Sequence, residues 1–139
     1  MRRCFIDTSA LIAVAYADDT HHAAARETMH VVARFRLPQV TTSYVLAETY
    51  TVLRRLAGHR AAVAFGTATQ RSSTTGRLTV VYPDAALEAA AWDIFARYED
   101  QDFSFVDCVS FAWLKADAQS DVFAFDRHFD VMGLVRFHA

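Results

Sequence analysis

Short apolar runs alternate along this chain with longer stretches of helical periodicity, and no other feature restricts its fold so tightly. The runs fall at residues 3–7, 38–41, 78–82, 122–125 and 134–137 and read as strands. Helical spacing of apolar residues occupies 10–17, 23–35, 44–57, 60–72, 85–98 and 105–118. Strands that read as continuous apolar runs are buried on both faces, and strands separated by a helical crossover pair in parallel. The order predicts an α/β protein with a mostly parallel central sheet and helices on both faces. Such sheets bind ligands beyond the carboxyl ends of their strands, near the point where strand order reverses.

Two of the runs end on a carboxylate: "CFID" stops at Asp7 and "VFAFD" at Asp126. Asp7, Thr8 or Ser9 also suits an N-cap, its side-chain oxygen accepting from the first turn of the next helix. Glu48 lies in "TTSYVLAETYTVLRRL", where Val45, Val52, Leu53 and Leu56 mark the buried stripe. On that projection Glu48 borders the stripe, while Thr51, Arg54 and Arg55 face water. In "DFSFVDCVSFAWL", Ser104 and Asp107 have the spacing of a capping box, and Phe103, Phe105, Val106, Cys108 and Phe111 surround the acid with apolar side chains.

Two like charges about 4 Å apart repel by around 4 kcal/mol at an effective dielectric near 20, so converging carboxylates need compensation. Lys115 is the sole lysine and is no buried partner for them. Either the acids stay apart, some are protonated, or a divalent cation joins them. Oxygen-only ligands select a hard ion, Mg²⁺ or Mn²⁺, over zinc.

At 139 residues, without a linker or repeat, the chain has the length of a single domain spanning 1–139. Its net charge of -2 excludes a strongly basic nucleic-acid-binding module, although the positive charge is almost all arginine, which suits phosphate. Cys4 and Cys108 lack metal-ligand spacing and read as reduced, buried thiols. No run approaches bilayer length and no export signal opens the chain, so the expected location is the cytoplasm, with no membrane partner. His21, His22, His30, His59 and His138 show no zinc pattern, and His128 reads as a residue that fixes its loop. A phosphoaspartate enzyme would also carry an acid at a strand end, but the second acid expected two residues later is here Ser9.

"FIDTSALIA", "TTSYVLAETYTVL", "DFSFVDCVSFAWL" and "VFAFDRHFDVMG", in this order, resemble the PIN-domain nucleases, and among them the VapC-type toxins of bacterial and archaeal toxin–antitoxin pairs. The resemblance spans essentially the whole chain. It implies a PIN-like α/β/α fold of three layers and a metal-dependent endoribonuclease that hydrolyses RNA through Mg²⁺ or Mn²⁺. The family's acidic positions fall on Asp7, Glu48, Asp107 and Asp126, which become the expected catalytic and metal-binding residues. Thr8 or Ser9 matches the hydroxyl that orients the first acid or a metal-bound water. Arg127 is a candidate for holding substrate phosphate, whereas Asp102 and Asp130 read as solvated loop residues. The resemblance also implies a homodimer and a cognate antitoxin protein. The alternative is a catalytically inactive PIN-like module that binds RNA or protein.

Overall fold

The computed structural model describes residues 2–117 and 119–137. The last position of the helical stretch 105–118, and His138, lie outside the described residues. In chain order the elements are β1 (Arg3–Ile6), α1 (Thr8–Ala15), α2 (His22–Arg34), β2 (Gln39–Thr42), α3 (Ser43–Ala57), α4 (His59–Thr74), β3 (Leu78–Val81), α5 (Ala85–Arg97), α6 (Phe105–Ala116), β4 (Ser120–Phe123) and α7 (His128–Val131).

The four strands form one sheet in the order β3-β2-β1-β4, and every pair is parallel. The chain moves outward from β1 through β2 to β3, then returns to place β4 on the other side of β1. Strand order therefore reverses between β1 and β4, which is where a sheet of this type opens a crevice.

Strand β1 shows why both faces are covered. Its side chains alternate, so Cys4 and Ile6 pack with Ala10 and Ala13 of α1, Ala25 and Val32 of α2, and Phe123. Phe5 points the other way, into a larger cluster with Val45 of α3, Ala91 of α5 and Cys108, Val109, Phe111 and Leu114 of α6. Both cysteines are free and buried, and burial pushes their thiols up to about 12 for Cys4 and about 11 for Cys108, which leaves them inert. Among the described residues, no helix is long and apolar enough to cross a membrane.

Three expectations require correction. Residues 134–137 add no strand among the described residues: a single parallel bridge joins Arg136 to Val122 at the sheet edge. The segment leaves the turn at Gly133, with φ of 73°, and has Val135 in solvent, so it has one buried side to offer. Strand β4 starts earlier than the apolar run and ends at Phe123, because Ser120 and Asp121 pair with Arg3 and Cys4 and Arg2 binds Asp121. Asp126 consequently stands in the loop beyond the strand. In α3, Leu53 is buried but Leu56 is 48% exposed, since the last turn passes beyond the core.

Candidate metal centre at the strand switch point

Asp7 follows β1 directly and caps α1, its Oδ2 accepting the Ser9 N–H at 3.1 Å and the Ser9 hydroxyl at 2.7 Å. The capping explanation for this acid is thus correct. Asp7 is 2% exposed, and burial pushes its carboxyl up to about 7 against the opposing pull of Ser9, with the charges of Asp107 and Asp126 adding to the rise.

Ser9 performs a second task. Its Oγ accepts the backbone N–H of Phe125 at 3.0 Å, tying the first acid to the loop after β4 that carries Asp126. Thr8 differs: its Oγ1 is buried and has no hydrogen-bond partner among the described residues.

Asp107 is the third residue of α6 and completes the capping box expected from the sequence. Its N–H donates to Ser104 Oγ at 3.0 Å, and its Oδ2 accepts the Ser104 N–H at 3.1 Å. Burial again raises the carboxyl pKa; the Ser104 N–H opposes that rise, the charge of Asp126 adds to it, and His128 lowers it. His128 Nδ1 lies 3.4 Å from Asp107 Oδ2 and 3.3 Å from Asp126 Oδ1, while the His128 N–H donates to Asp126 Oδ1 at 2.9 Å. Asp107, Asp126 and His128 each offer one ligand atom, all within 4.8 Å of one another.

The fold therefore gathers Asp7, Asp107 and Asp126, with His128 between the last two. Asp7 and Glu48 lie outside the group whose ligand atoms are mutually within that distance. Glu48 is half-buried and lines a neighbouring groove of about 510 Å³ together with Tyr44, Thr51, Arg55 and Val106, the last being the residue before Asp107. Arg127 is exposed. Asp102 is exposed, and Asp130, exposed on α7 rather than in a loop, pairs with Arg136 at 2.9 Å.

His128 is the member that sequence reasoning assigned to its loop. The spacing in "DRHF" brings it back toward Asp126, but only the packing of α7 against α6 brings it to Asp107.

A parallel four-stranded sheet with acids gathered at its switch point defines the class: residues 4–134 match the PIN domain family, and the chain belongs to it. It is 39% identical over 132 residues to the 23S rRNA-specific endonuclease VapC20 from two strains of Mycobacterium tuberculosis, covering 94% of this chain and 95% of that protein. The crystal structure of M. tuberculosis VapC20, a Sarcin-Ricin loop cleaving toxin, matches with a TM-score of 0.84 and 35% identity, covering 98% of this chain and 99% of that one.

Proposed function

We propose that this protein is a metal-dependent endoribonuclease, the toxin of a type II toxin–antitoxin pair, and that Asp7, Asp107 and Asp126 hold Mg²⁺ or Mn²⁺. The observation that carries the reading is the convergence of three carboxylates at the switch point, two of them, Asp7 and Asp107, lifted in pKa chiefly by burial, with the charge of Asp126 adding to both. Among the described residues no arginine or lysine pairs with any of the three, and the basic side chain in contact with them is the imidazole of His128. The donor set fits a hard divalent ion, and the unpartnered Thr8 hydroxyl suits a water carried in with it. When bound, such an ion supplies a water of lowered pKa and neutralises charge on the phosphate under attack.

The chain's own residues then have separate tasks. Ser9 fixes Asp7 and the loop of Asp126 in one geometry. Ser104 holds Asp107 through the capping box, and His128 keeps the Asp107 and Asp126 carboxylates together. Glu48 reaches the site from the groove wall, through water, and exposed Arg127 offers a fork to a substrate phosphate. The likeness to VapC20 supports RNA as substrate and makes ribosomal RNA the first to try. It also supports a cognate antitoxin partner. Trp92 and Phe95 on α5 are 58% and 42% exposed, apolar surface of the kind that a homodimer interface covers.

The test is cleavage of purified ribosomal RNA with Mg²⁺, with Mn²⁺ and with chelator. Cleavage is expected with either ion, and loss is expected with chelator and in Asp7→Asn. Cleavage that persists in chelator, or in Asp7→Asn, would refute the metal-site reading.

A further inference from the structure

Residues 16–21 carry the chain from α1 to α2, and this connection is anchored at several points. The His21 N–H donates to Asp19 Oδ1 at 2.8 Å, the His21 carbonyl accepts the Ala25 N–H at 2.8 Å, and His22 Nδ1 lies 2.7 Å from the Ala13 carbonyl oxygen. The imidazole of His21 lies flat on Phe125, with ring centroids 4.4 Å apart and planes within 8° of parallel. His21 is nevertheless exposed. Beneath it, Phe125 is half-buried and stands edge-on to the buried ring of Phe123, with centroids 5.9 Å apart.

The position of this stack gives it a use. Phe125 immediately precedes Asp126, so their Cα atoms are about 3.8 Å apart. Its N–H is held by the same Ser9 hydroxyl that holds Asp7. The two rings are thereby indexed to the acidic centre, and the exposed Arg127 follows on the same loop. Proteins that take single-stranded RNA stack its bases on aromatic rings, histidine included, while cations follow the backbone.

We propose that His21, laid on Phe125, is a stacking platform for one nucleobase of the RNA strand flanking the cut phosphodiester. The proposal rests on the ribonuclease reading and adds to it a binding site for a base. Because every base presents a π face, the platform contributes affinity and register with little sequence preference. The alternative, that His21 merely shields Phe125, makes no demand on RNA.

The probe is a single-stranded mixed-sequence oligoribonucleotide, titrated by fluorescence anisotropy into the full protein with Ca²⁺ in place of Mg²⁺ to suppress cleavage. An abasic oligomer of the same length is titrated in parallel. His21→Ala is expected to weaken binding of the RNA about tenfold, within the range for loss of one stacked base, and to leave the abasic oligomer unaffected. His21→Phe restores binding to within about twofold, since the ring face and not the imidazole edge is recognised. Both variants should unfold cooperatively, His21→Phe close to the wild type and His21→Ala with only a small loss of stability from the missing ring contact on Phe125, so that both are folded where binding is measured. Unchanged RNA affinity in His21→Ala would overturn the proposal, as would equal losses in His21→Ala and His21→Phe. Metal-dependent cleavage by the wild type, measured alongside, separates the two failures: if cleavage persists while His21→Ala binds normally, the platform is wrong and the ribonuclease reading stands.

Discussion

Replacing Asp7 by asparagine should stabilise the metal-free protein, which is the reverse of what loss of an N-cap would do. The carboxyl has an ordinary value of 3.8 and is pushed up to about 7 in the fold, chiefly by burial. A shift of about three units corresponds to about 4 kcal/mol between the two protonation states. Because the folded value lies above the unfolded one, the folded state holds this proton more tightly. The protein therefore loses stability as pH rises from about 4 to about 7, and bears the full penalty above that.

Asparagine has nearly the same shape, and its side-chain oxygen accepts the Ser9 N–H, so the cap survives while the charge is removed. Allowing for an imperfectly paired amide, Asp7→Asn should be more stable than wild type by about 2–4 kcal/mol near pH 8 and nearly equal near pH 4. Urea unfolding of metal-stripped wild type and variant at several pH values, taken as a difference, isolates this one group. Excess Mg²⁺ should then stabilise the wild type and leave the variant nearly unchanged. The same linkage makes Mg²⁺ affinity of the wild type fall as pH drops below about 7, since Asp7 must lose its proton to serve as a ligand. A variant that is equally or less stable than wild type near pH 8 without metal would refute the reasoning, and Asp7 would be a cap alone.

Ser104→Ala should lower stability by about 1 kcal/mol and weaken Mg²⁺ binding, because the lost hydroxyl caps α6 at the Asp107 N–H and so steadies the turn in which the Ser104 N–H holds the Asp107 carboxylate; calorimetry and thermal unfolding on the same sample check both effects. Ser9→Ala removes the hydroxyl bond that opposes the rise in the Asp7 pKa, so the pH midpoint for Mg²⁺ binding should move upward, read by metal titration across pH. An unmoved midpoint would mean that Ser9 does not tune the acid.

Local patterns in the sequence determined a good deal of this molecule. The apolar runs marked all four strands, and helical crossovers between them required parallel pairing. The capping box at Ser104 was legible because its partners are three residues apart. Asp7 was visible as an acid ending a buried strand, and Cys4 and Cys108 as buried thiols. Tertiary structure decided which groups meet. Ser9 binds a backbone N–H 116 residues away, and His128 reaches Asp107 across 21 residues and a change of element. The stack of His21 on Phe125 joins a loop after α1 to one after β4. No periodicity records such pairs, because periodicity reports which face of one element is apolar, not which element lies opposite. The same reason explains residues 134–137, whose apolar run resembles a strand but arrives at an edge with a single bridge to make. What fixes the site is the return of the chain to β1 on its far side, which sets the loop of Asp126 beside the end of the strand that carries Asp7.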